Sequence, residues 1–188
     1  MTRLVVLISL WVTAVVSVPD PTKICMPDTI QFNSINVTSE IFSIVAFDFP
    51  RKLFGSITGN TSVVEDLSTL KQYATDATGK CVSSPLGPTQ IFRIGQQCLP
   101  ASAVFLGDIY IGFGTNRIHA VGFELSLGGT TIRYALSDQE NQPSYPILVG
   151  YRTDKTFTTT FQSEPSLVIT QTDIFTIPDP CPPASVVG

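Results

Sequence analysis

The chain has 188 residues, a formal net charge of −4 and only 14% charged residues. A mildly acidic protein with no basic run and no aromatic–basic stripe is not built to bind nucleic acid, and it has no electrostatic membrane anchor. The length suits one domain with a sizeable core.

The chain opens with a short secretory leader. Arg3 precedes the apolar run LVVLISLWVTAVV (4–16), and Val15 and Ser17 stand three and one residues before a cut between Ser17 and Val18. These three parts read as a signal peptide over 1–17, with 18–188 as one domain. The run is shorter than the roughly 20 apolar residues of a membrane span, and Pro19 and Pro21 follow it. The mature protein is therefore expected to be secreted, soluble and extracellular. In that compartment the four cysteines, Cys25, Cys81, Cys98 and Cys181, are expected to form disulfides, with three connectivities open. Their spacing matches no CxxC motif, and a single histidine leaves little for a Cys/His metal site.

Strand follows strand after that. SEIFSIVAFDF (39–49) is rich in Ile, Val and Phe. DIYIGF (108–113) places Ile109, Ile111 and Phe113 on one face, and HAVGFELSL (119–127) does the same with Val121, Phe123, Leu125 and Leu127. TTIRYALS (130–137) sets Ile132, Tyr134 and Leu136 against Arg133; KTFTTTFQ (155–162) aligns Phe157, Thr159 and Phe161; SLVITQ (166–171) follows. Alternation of apolar and polar residues with β-branched and aromatic side chains is the strand signature. Gly128-Gly129 marks a tight hairpin turn. SVVEDLSTLKQYA (62–74) alone admits a helix, through Val63, Leu67 and Leu70, although strand–turn–strand is preferred there. The sum is an antiparallel all-β fold with one apolar face per sheet.

Catalytic chemistry is sparse, and no enzyme activity is expected. The sole histidine, His119, opens a strand, where a surface role is the simplest reading. No GxSxG elbow, P-loop, HExxH or GxGxxG is present. GFGTNR (112–117) reads as a hairpin loop rather than a phosphate cradle. Glu65-Asp66 and Asp138 with Glu140 are the nearest approaches to a carboxylate cluster, without EF-hand spacing, so metal ligands stay unassigned and solvated loops are the preferred reading. Asn36-Val37-Thr38 and Asn60-Thr61-Ser62 are glycosylation sequons. Twelve Phe, five Tyr and a mean hydropathy of +0.26 are high for a small secreted protein. Composition alone favours a plain packed core over two sheets standing apart around an apolar cavity.

Four stretches, in order, resemble the ependymin-related family of secreted glycoproteins: SIVAFDFPRKLFGSI (43–57), YATDATGKC (73–81), CLPASAVFLGDIYIG (98–112) and the terminal DIFTIPDPC (173–181). The resemblance implies two antiparallel sheets enclosing a hydrophobic pocket, similar to bacterial lipoprotein carriers, with an apolar or lipid-like ligand and no established enzyme activity. It implies a Cys81–Cys181 disulfide, which leaves Cys98 for Cys25. Glycosylation at Asn36 and Asn60, calcium-sensitive behaviour and homodimers would also follow. The pocket candidates become Ile109, Ile111, Phe113, Val121, Phe123, Leu125, Ile132, Tyr134, Phe157 and Phe161. Ser144 stands where six-cysteine members carry a cysteine, and the terminal signature is shortened. The alternative the resemblance supports is a calcium-dependent glycoprotein of extracellular matrix and cell adhesion, with no lipid-carrier role.

Overall fold

The computed structural model describes residues 18–112, 114–137 and 144–184. The segment 1–17 read as a signal peptide, Phe113 and the Asp138/Glu140 pair lie outside the described residues.

Eleven strands form one antiparallel sheet. They are β1 (Thr29–Asn36), β2 (Phe42–Asp48), β3 (Leu53–Thr58), β4 (Thr61–Asp66), β5 (Lys71–Thr75) and β6 (Cys81–Pro85), then β7 (Val104–Ile111), β8 (Ile118–Leu127), β9 (Thr130–Ser137), β10 (Pro146–Arg152) and β11 (Phe157–Ser166). The spatial order is β6-β5-β4-β3-β2-β1-β11-β10-β9-β8-β7, two meanders joined where the first and last strands pair. The all-β antiparallel class is as expected. The two expected sheets, however, are halves of one, because the β1–β11 ladder joins them. That pairing links residues about 130 positions apart in the chain, as in Ser34 opposite Gln162, and no local pattern announces it.

The segment 62–74 resolves as strand, turn and strand, with β4 and β5 in register from Ser62–Thr75 to Asp66–Lys71. SLVITQ is not the expected strand, since β11 ends at Ser166. Leu167 and Val168 are exposed, and the Gln31 side chain accepts from the backbone N–H groups of Thr170 and Gln171 instead of a ladder partner. The hairpin at Gly128-Gly129 has φ of 55° and 81°, the left-handed pair that a two-residue turn of this kind requires.

Among the described residues one α-helix, α1 (Pro88–Gly95), interrupts the strands. Its start is written locally: proline sits in the first turn, where a missing N–H costs nothing, and the Gln90 side chain accepts from the Gly87 N–H at 2.7 Å. At eight residues the helix is too short to stand alone, so packing must hold it.

The sheet curls. Laid flat, five strand spacings of about 4.8 Å would separate β3 from β9 by roughly 24 Å, yet Phe54 of β3 and Tyr134 of β9 line the same cavity. Register shifts at Gln31/Asn33, Pro146/Leu148 and Phe105/Gly107 supply bends, as β-bulges do. The largest core cluster joins Ile30, Phe32, Val45, Phe47, Phe49 and Phe54 with Leu86 and Ile94 of the helix region. Two others join Val121, Phe123 and Leu136, and Leu125, Ile132 and Val149, on the second half of the sheet.

The proline-rich tail has a definite job. Cys181 is bonded to Cys81 of β6 across 100 residues. Beside it the backbone of Ser83 donates to Pro182 and accepts from Ala184, each at 2.8 Å, so the tail occupies the open edge of β6. Upstream, a 3-10 turn (Thr172–Phe175) sets Ile174, fully buried, against β3 and β4. Gly55 makes room: a Cβ there would stand 2.5 Å from the Ile174 carbonyl oxygen. A loop of this length stabilises by about 4–5 kcal/mol through the unfolded chain, and an edge so covered cannot recruit another strand.

Candidate ligand cavity

A cavity of about 260 Å³ lies between the curled sheet and the segment carrying α1. Its first wall is β1, β2 and β3, through Phe32, Ser34, Ser43, Val45, Phe47, Phe54 and Ser56. These are alternate residues of each strand, so one face of the pleat supplies them all. The opposite wall is β9, β10 and β11, through Tyr134, Leu136, Pro146, Val149, Tyr151, Thr160 and Gln162. Phe92 and Arg93 of α1, with Ile24–Met26 and Gln96–Pro100, complete it. Those two segments are fastened together by the Cys25–Cys98 disulfide and by backbone bonds from Met26 to Gln97 and from Leu99 to Ile24. Both disulfides pair as the resemblance implies, and Ser144 lies at the cavity.

The aromatic wall is packed edge to face, with Phe47 and Phe54 centroids 5.0 Å apart at 62°, a favourable arrangement for π systems. Arg93 lies 4.0 Å above the Phe54 ring. Its Nη2 donates to both oxygens of Glu65, at 2.6 and 2.5 Å, and Gln90 donates to the same carboxylate at 2.8 Å. Glu65 is 4% exposed and Arg93 29%. Burial, the largest single influence, would by itself lower the guanidinium's pKa, but the charges and hydrogen bonds of Glu65 and Tyr151 together more than offset it, and Arg93 sits above its ordinary value. Arg93 is the one charged residue among those lining the cavity, and Glu65 neutralises it. Burial also pushes the Tyr134 phenol well above its usual range, so it stays protonated. Two buried atoms have no hydrogen-bond partner among the described residues: Arg93 Nε and Gln162 Oε1.

The sequence-derived candidates divide by face. Tyr134 lines the cavity. Val121, Phe123, Leu125 and Ile132 lie in the core clusters containing Tyr134, Leu136 and Val149 beside it. Ile109, Ile111, Phe157 and Phe161 belong to the other face and are corrected accordingly. Ile109 pairs with Ala120 and packs over Gly122, while Ile111 and Phe161 share a cluster with Ala120, Ala135 and Ile147. Phe157 is 63% exposed. Alternation separates two faces of a strand but does not say which one turns inward.

Most of the first wall escaped sequence reasoning, as did α1 and both unpartnered atoms. The signal for α1 was available in GPTQIFRIG, a Pro and a Gln at capping positions ahead of apolar residues. Glu65 and Asp66, read as a loop pair, lie on β4: Glu65 holds Arg93, and Asp66 accepts from the backbone N–H groups of Ser68 and Thr69. His119 lies 3.1 Å from Asp108 at the β7–β8 edge, and neither lines the cavity. Among the described residues no three His, Cys, Asp or Glu side chains gather as cation ligands would, and no helix is long and apolar enough to cross a membrane. Asn60 is exposed in the β3–β4 turn, and Asn36 ends β1, its Oδ1 accepting from Thr38 and Ser39.

No protein-family model and no curated protein sequence matches the chain. Among solved structures, the fold is similar to that of an uncharacterized conserved protein from Thermus thermophilus, at 12% identity and a TM-score of 0.55 over 83% of this chain and 89% of that one. At that identity the likeness speaks for the fold alone.

Proposed function

We propose that this protein is a secreted carrier that holds an apolar, lipid-like molecule between the sheet and α1. The observation that carries the reading is the cavity itself, walled by aromatic and aliphatic side chains on both halves of the sheet and holding one charge, already paired. A protein that needed only a solid core would fill that space, because each void forfeits packing energy. Small-molecule sites have this make-up, a largely apolar concavity with a few polar groups. Secretion belongs to the same reading, supported by the leader at 1–17 and the two disulfides. The ependymin-related resemblance supports it too, and the same reading puts glycans on the sequons at Asn36 and Asn60.

The test is native mass spectrometry of the glycoprotein secreted from animal cells, with extraction and identification of anything bound. A lipid retained at one per chain is the expected result. A ligand-free mass, from protein that after delipidation takes up no amphiphile or hydrocarbon, would overturn the carrier reading.

A further inference from the structure

We propose that the occupant is a single-chain amphiphile with an uncharged hydroxyl- or amide-bearing head, and that the head lies against Gln162, Ser34 and Ser43. The proposal rests on the carrier reading of the same cavity and gives it a ligand class and an orientation.

The strand register builds this polar row. Ser34 of β1 stands directly opposite Gln162 of β11 on one side and Ser43 of β2 on the other, and all three line the cavity. The Ser43 hydroxyl lies 2.6 Å from that of Thr58, which extends the row onto β3. Two residues along the same strands, Phe32 pairs beside Val45, and two further on, Phe47 pairs beside Phe54. With about 3.4 Å of rise per residue, the wall passes from the hydroxyl and amide row, through a mixed row of Phe32, Val45 and Ser56, to the phenyl groups of Phe47 and Phe54. An amphiphile matches that gradient; a plain hydrocarbon does not.

Gln162 supplies the pull. Its residue is 8% exposed. Its Nε2 donates to the Thr160 hydroxyl at 3.0 Å, and that hydroxyl donates onward to the Val149 carbonyl at 3.3 Å. The Oε1 is left without a partner among the described residues. Buried acceptors are seldom left unmet in native proteins, and a ligand O–H or N–H would meet this one. The other unpartnered atom, Arg93 Nε, belongs to a side chain already held by Glu65 and stacked on Phe54.

Charge decides against an anionic head. A carboxylate carried into the cavity loses its hydration and needs an uncompensated cation. Arg93 is spoken for by Glu65, and the remaining polar lining groups are hydroxyls, amides and phenols. Size decides for one chain, since about 260 Å³ falls just below the usual range of small-molecule sites, roughly 300–1,000 Å³.

The experiment measures affinities of the delipidated full-length glycoprotein for 1-monooleoylglycerol, oleamide, oleate and octadecene at pH 7.4, with displacement of a fluorescent acyl probe as readout. The neutral amphiphiles should bind about tenfold or more tighter than oleate and octadecene. Gln162→Leu should weaken them about 3- to 10-fold, as loss of one hydrogen bond does, and leave octadecene unchanged. Should Gln162→Leu fail to fold, Ser43→Ala on the partly exposed side of the row serves instead. Oleate binding as tightly as monooleoylglycerol would overturn the head-group class, and unchanged affinities in the variants would overturn the placement, while the carrier reading stands in both cases. Octadecene alone binding would also sink the amphiphile. If none of the four binds, the carrier reading falls with it.

Discussion

The cavity face and the outer face of the sheet are written by the same alternation of residues, yet they have different fates. On the cavity face Phe123 and Ile132 are at most 1% exposed, whereas on the outer face of the same half Phe157 is 63% and Ile118 40% exposed. The other half of the outer face, over β3 and β4, is closed by Ile174 of the tail, which is fully buried. Strand hydrophobicity is alike in all these places. What differs is the segment laid on top, α1 with its flanks on one face and the tail on part of the other. Each cover is pinned by its own disulfide, Cys25–Cys98 at the cavity and Cys81–Cys181 at the tail.

The sharpest way to break that symmetry is to release one cover. Replacing Cys81 and Cys181 together by serine should cost about 4–5 kcal/mol of stability, read from urea unfolding, while leaving ligand affinity unchanged because neither cysteine lines the cavity. A loss of binding of the same size would mean that the two faces are coupled. Next come equivalent truncations on the two faces. Phe123→Ala should cost about 3–5 kcal/mol and Phe157→Ala no more than about 0.5, in the same unfolding assay. Comparable costs would show the Phe157 side chain to be buried in solution.

Glu65→Gln leaves Arg93 without its counter-charge. The cost should be about 3 kcal/mol, at the low end for a buried pair because Arg93 keeps 29% exposure. The cavity also becomes cationic, so oleate should gain affinity relative to monooleoylglycerol; an unchanged ratio would remove Arg93 from the electrostatics of binding. Gly55→Ala puts a Cβ against the Ile174 carbonyl and should cost about 1–3 kcal/mol. Amide exchange should rise in 172–175 and stay unchanged in α1. The smallest effect is a pH dependence. Burial raises the Tyr134 pKa, so the folded chain keeps a proton that the unfolded chain releases above pH 10.0. That stability is complete below pH 10.0 and is lost as pH rises further. Tyr134→Phe should flatten the alkaline end of a melting-temperature profile, and identical slopes for the two proteins would exclude Tyr134 as the cause.

Local features were open to reading from the chain. Val121, Phe123, Leu125 and Ile132 alternate as strand residues and are strand residues; Gly128-Gly129 turns where a two-glycine dipeptide should. The family resemblance, rather than any spacing, gave the right cysteine partners. The reading went wrong where short-range patterns are silent. SLVITQ has strand composition but no strand to pair with, and Ile109 and Phe157 have apolar alternation but no cover.

The sequence by itself determined an all-β chain, its turns and two faces per strand, since backbone sterics and side-chain alternation act over a few residues. Tertiary structure decided that β1 and β11 close two meanders into one sheet, that α1 caps one face, and that Ser34, Ser43 and Gln162 share a row. Those facts depend on contacts between residues as far apart as 34 and 162, whose free energy comes from burying both partners at once. A cavity is the same kind of property, because its walls come from six strands and a helix and none of them encloses it alone.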